Sequence, residues 1–305
     1  MENPLVSVII PVYNGKKYIS ETIESVLGQT YAPIEIIIID DGSKDSSHNV
    51  IKPYLNDNKI KYYFQQNQGV AAARNFGIQK SSGNLIAFID QDDLWLPEKI
   101  SRQVSLMSTN SQLALVHGRI EFINENGTRI KPLWTHPEVS GYCFKEMFSG
   151  NKIAMLTALV KKESIMAAGM FDETIAITDD YDLWLKISYT NMVGYVDETI
   201  ALYRYHGENT SGNIVAFKKN ELQVLQNFLK KHPEIQKKIS NKIIKDRLFN
   251  VIIELCKISI KRNNRKDFNL YSKLAFKIFP FKFLSSLPRI YSGYFLYVLK
   301  EKPHP

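Results

Sequence analysis

The sequence predicts an α/β fold with a mostly parallel, doubly wound sheet, followed by an α-helical extension. Three observations support this prediction. Between residues 6 and 89, short β-branched runs alternate with longer amphipathic segments, which is typical of repeated β-α units. The run 34–39 is almost entirely apolar, as expected of a parallel strand that is buried on both faces. Polar residues come directly after the predicted strands, where sheets of this kind bind ligands.

Apolar spacing places the elements of the first third of the chain. The segment 18–27 has its apolar residues at helical spacing, and the β-branched runs around it have the length of strands. The predicted elements are, in order, a strand over 6–10, a helix over 18–27, strands over 34–39 and 60–64, a helix over 70–80 and a strand over 85–89.

The rest of the sequence is less regular. The runs 113–116 and 119–123 are expected to pair as strands ahead of a turn at 124–127. The later predicted elements are a helix over 179–188, short strands over 193–196 and 201–205, and helices over 217–229, 239–260 and 268–278.

Length and composition argue against several classes of protein. The 305 residues, 44% hydrophobic and 23% charged, can bury a large core, so a disordered chain is not expected. Cys143 and Cys256 belong to no CxxC pattern, which argues against a disulfide framework and a structural zinc site. Neither a signal peptide nor a run of about 20 apolar residues is present, and this favours a cytoplasmic protein.

Charge divides the chain into two parts. Residues 1–212 carry 19 Lys and Arg against 25 Asp and Glu, whereas residues 213–305 carry 20 against 6. This asymmetry predicts two domains with different partners, the second one basic and helical. The basic helices either form a bundle with a solvated face or dock on anionic lipid. Nucleic-acid binding is not favoured, because no aromatic stacking motif accompanies the charge.

Carboxylates follow two of the predicted parallel strands. Asp90 and Asp92 offer hard oxygen ligands suited to Mg²⁺ or Mn²⁺, although such a triplet can also be a solvated turn. Asp41 could accept the ring N–H of a nucleobase, or its segment could instead cap the next helix. Because the carboxyl ends of parallel strands share one edge of a sheet, these side chains are expected to converge. A nicotinamide-dependent enzyme is not expected, since no G-x-G-x-x-G follows the first strand.

Five segments together resemble, in order and spacing, the family 2 glycosyltransferases, which have the GT-A fold. The segments are 6–14 (VSVIIPVYN), 25–30 (SVLGQT), 39–43 (IDDGS), 67–75 (NQGVAAARN) and 90–93 (DQDD). The resemblance covers roughly residues 5–212 and leaves out the helical remainder.

The resemblance implies transfer of a hexosyl or N-acetylhexosaminyl group from a nucleoside-diphosphate donor, a UDP-sugar, with inversion at the anomeric carbon. Matched position by position, Pro11, Tyr13 and Asp41 would hold the nucleobase and ribose. Arg74 would lie near the donor.

A metal site is implied by the same resemblance. Asp92 would ligate Mn²⁺ or Mg²⁺, and Asp90 would contact the ribose or the metal. The division of roles with Asp93 stays open, because three carboxylates occupy four positions. Arg204 and His206 resemble the family's closing element, in which an arginine binds the donor and a histidine approaches the metal. A histidine at a strand end can instead be an ordinary surface residue.

The acidic pair 179–180 resembles the segment that precedes an amphipathic helix in this family. Asp180 matches the general base, and Asp179 stands where glutamate is common. Inversion in a single displacement requires a carboxylate that takes the proton of the acceptor hydroxyl, which an ionised aspartate can do. The alternative is an acidic helix N-terminus that only complements the helix dipole.

These inferences predict a metal-dependent inverting glycosyltransferase of bacterial cell-surface polysaccharide synthesis, located in the cytoplasm or at the inner face of the membrane. Its acceptor would be a glycan or a lipid-linked glycan. The alternative is a catalytically silent protein that binds nucleotide sugars or acts as a scaffold. Trp95, Trp134 and Trp184 are expected in the core or at the acceptor wall.

Overall fold

The computed structural model describes residues 3–133, 138–209, 212–288 and 290, and the chain forms two compact units, Met1–Asn209 and Thr210–Pro305. The first unit is an α/β domain and the second is helical, which confirms the predicted fold class. Trp95 and Trp184 are buried, whereas Trp134 lies outside the described residues. Separate functions for the two parts of the chain remain a prediction.

Nine strands in the described residues form one sheet. They are β1 (Val6–Val12), β2 (Ile34–Asp40), β3 (Ile60–Phe64), β4 (Leu85–Phe88), β5 (Leu94–Trp95), β6 (Leu113–Asn124), β7 (Arg129–Ile130), β8 (Leu159–Lys161) and β9 (Met192–Tyr205). Their order is β3-β2-β1-β4-β8-β6-β9-β5, with β7 on β6. All but β5, β7 and β8 run in the same direction, so the sheet is mostly parallel, as predicted.

Seven α-helices of the described residues belong to the first unit. They are α1 (Ile19–Leu27), α2 (Ser47–Ile51), α3 (Val70–Lys80), α4 (Lys99–Thr109), α5 (Phe144–Phe148), α6 (Lys162–Ala167) and α7 (Asp179–Thr190). Helix α3 packs against β1 at Gly77, where a Cβ atom would lie 2.6 Å from Ile9 Cγ2. This close packing buries most of α3, including the side chain of Arg74.

The expected pairing of 113–116 with 119–123 is wrong. Both segments belong to the single strand β6, which pairs in parallel with β9. The strands expected at 193–196 and 201–205 are likewise one strand, β9. The register shifts after Gly118, where a Cβ atom would come within 2.8 Å of a side chain of β9. Pairing between distant segments therefore determines this part of the sheet.

The second unit contains the three helices that the sequence predicts: α8 (Ile214–Lys231), α9 (Asn241–Lys261) and α10 (Arg265–Ile278). Each begins at a side-chain cap, because Asn213, Ser240 and Asn264 accept a hydrogen bond from a backbone N–H in the first turn. In the part of the chain that the structure describes, no helix is long and apolar enough to cross a membrane.

Candidate active site

Strands β1, β2, β4 and β9 end at the same edge of the sheet, because they run in the same direction. Five of the residues that the sequence singles out follow these ends: Tyr13 after β1, Asp41 after β2, Asp90 and Asp92 after β4, and His206 after β9. The topology therefore gathers side chains that are far apart in the sequence.

Asp41 is buried, and its carboxylate holds the segment that leads into α3. Its Oδ1 accepts hydrogen bonds from Gln65 Nε2 at 2.7 Å and from the backbone N–H of Gln68 at 2.9 Å. Its Oδ2 accepts from the backbone N–H of Gly69 at 2.9 Å. A contact between Asp41 and a nucleobase would have to use the acceptor capacity that these three bonds leave.

The end of β1 is joined to the loop after β4 by a side chain that the sequence does not distinguish. Gln91 Oε1 accepts the backbone N–H of Tyr13 at 2.9 Å, and Gln91 Nε2 donates to the Tyr13 carbonyl oxygen at 3.1 Å. Tyr13 itself is 44% exposed. Pro11 is buried within β1, opposite Ile39. The only sequence signal for Gln91 is its position between two aspartates.

Asp90 and Asp92 have different partners. Asp90 Oδ1 accepts from Arg74 Nη2 at 2.6 Å, and Asp92 Oδ2 lies 2.8 Å from His206 Nε2. Their side chains keep partial solvent access, 37% for Asp90 and 19% for Asp92. Burial and the neighbouring charge of Asp90 raise the pKa of Asp92 above its ordinary value.

Arg204 is buried, and its described contacts are with the protein. Its backbone N–H donates to Asp93 Oδ1 at 2.9 Å, and its Nε donates to the Asp92 carbonyl oxygen at 2.8 Å. Its Nη2 donates to Glu21 Oε2 at 2.7 Å, and the guanidinium lies 4.5 Å from the centroid of the Tyr18 ring. Arg204 and the buried Asp93 thus fasten the end of β9 to the loop after β4.

His206 contacts Asp92 through one ring nitrogen and the backbone through the other. The backbone N–H of Glu208 donates to Nδ1 at 3.3 Å, and in a neutral ring this contact favours the tautomer in which Nε2 donates to Asp92 Oδ2. A cation bound at Nε2 would require that nitrogen to lose its proton. The next residues of this loop, 210 and 211, lie outside the described residues.

Arg74 joins the loop after β4 to the N-terminus of α7. It is buried, and its terminal nitrogens donate to Asp90 and to Asp179, each at 2.6 Å. Burial lowers the pKa of Arg74, but the two carboxylates raise it by more, so the guanidinium stays charged. Burial raises the pKa of Asp179, and Arg74 opposes this effect. Arg74 therefore fixes the position of the acidic end of α7.

Asp180 follows Asp179 and is half-buried. Its Oδ2 accepts from Asn151 Nδ2 at 2.8 Å, and its Oδ1 accepts from the backbone N–H of Tyr181 at 2.6 Å. Burial and the charge of Asp179 raise the pKa of Asp180 to about 7. A carboxyl group with a pKa near neutrality is well suited to general-base catalysis. The sequence gives no signal for Asn151.

Asp92 and His206 offer an oxygen and an imidazole nitrogen, a donor set that fits Mn²⁺ and tolerates Mg²⁺. Among the described residues, no group of three or more His, Cys, Asp or Glu side chains is placed to hold a metal ion. A cation here would therefore complete its coordination with phosphate oxygens and water, as Mg²⁺ usually does. It would also relieve the repulsion between Asp90 and Asp92.

Comparisons of the sequence identify related proteins. A family model described as Glycosyl transferase family 2 matches residues 7–161. An uncharacterized glycosyltransferase of Rickettsia bellii is 34% identical over 240 residues. These residues are 76% of this chain and 34% of that protein, so this chain spans about a third of the length of that relative. The UDP-Glc:alpha-D-GlcNAc-diphosphoundecaprenol beta-1,3-glucosyltransferase of Escherichia coli is 31% identical over 232 residues, 75% of this chain and 88% of that enzyme.

Solved structures share the fold at low sequence identity. S. aureus TarS 1-349 in complex with UDP-GlcNAc matches with a TM-score of 0.60 at 16% identity, covering 88% of this chain and 89% of that one. The mannosyltransferase PcManGT from Pyrobaculum calidifontis, in complex with GDP-Man and Mn²⁺, matches with a TM-score of 0.59 at 14% identity, covering 99% and 89%. These two similarities show a common fold.

Proposed function

Because this chain belongs to glycosyl transferase family 2 and has the GT-A fold, we propose that it transfers a sugar, with inversion, from a UDP-sugar to a hydroxyl of a glycan or lipid-linked acceptor. The observation that carries this proposal is the link that Arg74 makes between Asp90 and Asp179. This link connects the loop that carries Asp90 and Asp92 to the N-terminus of α7, which carries Asp180. The name of the E. coli relative supports a UDP-sugar donor and a diphosphoundecaprenol-linked acceptor.

In the proposed reaction Asp180 acts as the general base. Its carboxylate takes the proton of the acceptor hydroxyl while that oxygen bonds to the anomeric carbon, and the bond from this carbon to the donor diphosphate breaks with its electron pair leaving on the diphosphate. A base with a pKa of about 7 is half ionised at neutral pH, so kcat/KM should rise with pH through this value.

Other residues bind and position the donor in this proposal. Pro11, Tyr13 and Asp41 hold the nucleobase and ribose, Tyr13 being the most exposed of them. Asp92 and His206 would hold Mn²⁺ or Mg²⁺, which when bound stabilises the charge on the departing diphosphate. Arg204 acts through its neighbours, since its described contacts fasten β9 to the loop after β4.

The second unit has a surface that fits the proposed location at a membrane. Exposed apolar side chains lie on α10 and just after it, with Leu270 at 58%, Phe276 at 51% and Phe281 at 87% exposure. The exposed Lys273 and Lys277 lie among them. We propose that this surface contacts anionic lipid and brings the enzyme to a lipid-linked acceptor.

A two-step experiment tests the proposed reaction. Thermal shift against a panel of nucleotide sugars, with and without Mn²⁺, identifies the donor, and a transfer assay with that donor compares wild type with Asp180→Asn. The variant should still bind UDP but lose about 10²–10⁴-fold in transfer. The matched control is Asp197→Asn, which changes an exposed aspartate on β9 and should leave transfer unchanged.

Two outcomes would contradict the proposal. Near-normal transfer by Asp180→Asn would exclude Asp180 as the base. Donor binding by wild type without transfer to any glycan or lipid-linked acceptor would favour a silent nucleotide-sugar-binding protein instead.

A further inference from the structure

Asn151 lies between α5 and β8, and its amide group bridges two partners. Its Nδ2 donates to Asp180 Oδ2 at 2.8 Å, and its Oδ1 accepts the backbone N–H of Ile153 at 3.2 Å. Because that backbone N–H can only donate, the amide oxygen must face Ile153. The orientation of the amide is therefore determined, with its NH₂ group directed at the carboxylate of Asp180.

The segment that carries Asn151 is held on both sides. Ile153 is fully buried, which fixes the chain just after Asn151. Just before Asn151, the carbonyl oxygen of Phe148 accepts a hydrogen bond from the Tyr181 hydroxyl at 3.3 Å. Tyr181 directly follows Asp180 in α7, so the same helix end contacts this segment twice. Asn151 is thus presented to Asp180 from a preformed position.

We propose that Asn151 is a positioning residue for the general base: its amide fixes the rotation of the Asp180 carboxylate and favours the ionised form. This inference rests on the proposed function, because it takes Asp180 as the base. The physical reason is that a hydrogen bond donated to a carboxylate stabilises its charged state more than its protonated state. A carboxylate held in one rotamer also loses less entropy when it takes the acceptor proton.

Several neighbours act on the charge of Asp180. Burial and the carboxylate of Asp179 raise its pKa, whereas Arg74, the backbone N–H of Tyr181 and the amide of Asn151 lower it. Arg74 is engaged in two ion pairs, and the Tyr181 N–H belongs to the backbone. Asn151 is therefore the neighbour whose effect can be removed with the fewest other changes.

The test is the pH dependence of kcat/KM for Asn151→Leu, which removes the donor at similar side-chain size. Loss of one hydrogen bond to a carboxylate is expected to move the inflection up by about one pH unit. Transfer should then fall about eightfold at pH 6.5 and recover most of the wild-type rate at pH 9. A merely structural defect would lower the transfer rate at every pH, and the rate would not recover at pH 9.

The matched control is Asn191→Leu, at the other end of the same helix. Asn191 Nδ2 donates to the carbonyl oxygen of Ile187 at 3.0 Å, so this change should lower stability without moving the inflection. Asn151→Ala gives the same test if Asn151→Leu does not fold. An inflection in the Asn151 variant that coincides with that of wild type overturns the proposal.

A second readout separates this inference from the proposed function. If wild type transfers no sugar, the proposed function fails, and the carboxyl titration of Asp180 can still be followed by ¹³C NMR. A higher pKa in Asn151→Leu than in wild type supports the inferred contact. Equal values in the two proteins overturn it.

Discussion

Replacing Arg74 with methionine should be among the most destabilising single changes in the first unit. The side chains keep a similar length, but Asp179, which is 4% exposed, loses its cation. Leaving one member of a buried ion pair without its partner costs about 4 kcal/mol, or about three orders of magnitude in the unfolding equilibrium. The pair with Asp90, which is 37% exposed, adds about 0–1 kcal/mol.

The loss should depend on pH, and its sign follows from Asp179. Burial raises the pKa of this carboxyl and Arg74 lowers it, so in Arg74→Met the folded-state pKa rises further above the unfolded value. A raised acid pKa makes the folded state less stable as the pH rises through the interval between the two values. The destabilisation should therefore be larger at pH 8 than at pH 5.

Thermal unfolding of the full chain at both pH values measures the effect. For a unit of this size, about 4 kcal/mol corresponds to a fall of about 8–16 °C in Tm. The matched control is Arg102→Met, which breaks the exposed pairs of Arg102 with Glu98 and Glu198 and should change the Tm very little. The double variant Arg74→Met/Asp179→Asn should regain much of the loss, because the buried charge is gone.

Two results would refute this reasoning. One is a loss in Arg74→Met no larger than that in Arg102→Met, which would mean that the buried pairs contribute no more than a surface pair. The other is a double variant no more stable than Arg74→Met, which would mean that the uncompensated charge of Asp179 is not the cause.

Four further predictions concern metal, nucleotide, acid stability and membrane. Asp92→Asn should abolish the extra thermal stabilisation that Mn²⁺ gives to the UDP complex, and unchanged metal dependence would argue against Asp92 as a ligand. In calorimetric titrations, Asp41→Ala should weaken the binding of UDP far more than the binding of free diphosphate. An equal loss of affinity for both ligands would show that Asp41 is not part of the nucleobase site. Burial raises the pKa of Glu35, but hydrogen bonds from Lys61, Ser7 and the Ser82 backbone lower it to about 2. The stability that Glu35 contributes is therefore present above pH 4.5 and is lost as the pH falls towards 2. The Tm difference between wild type and Glu35→Gln should shrink over that range. Full-length protein should co-sediment with anionic liposomes, and less of it should do so at high salt. Reversal of the charges at Arg265, Lys266, Lys273 and Lys277 should abolish this binding. A charge-reversed variant that still sediments with the liposomes would contradict the membrane contact.

Local patterns in the sequence determined the fold class and the location of the site. The apolar run 34–39 and the helical spacing of 18–27 were sufficient to predict strand β2 and helix α1, because periodicity depends on residues that are near one another in the chain. The three helices of the second unit were predicted for the same reason. The positions of the acidic residues after β2 and β4 pointed to one edge of the sheet, since parallel strands share that edge.

Only the tertiary structure decided which partner each of these side chains has. The sequence could not divide the roles of the three carboxylates after β4, whereas the structure pairs Asp90 with Arg74, Asp92 with His206 and Asp93 with the backbone of β9.

The sequence also did not predict the contacts of Gln91 and Asn151 or the pairing of β6 with β9, because each of these joins distant parts of the chain. Such contacts join residues that are far apart in the sequence: Asp92 and His206 are separated by 114 positions, and Glu21 and Arg204 by 183. Their geometry depends on how separate elements pack, and the periodicity of a single segment carries no information about its distant neighbours.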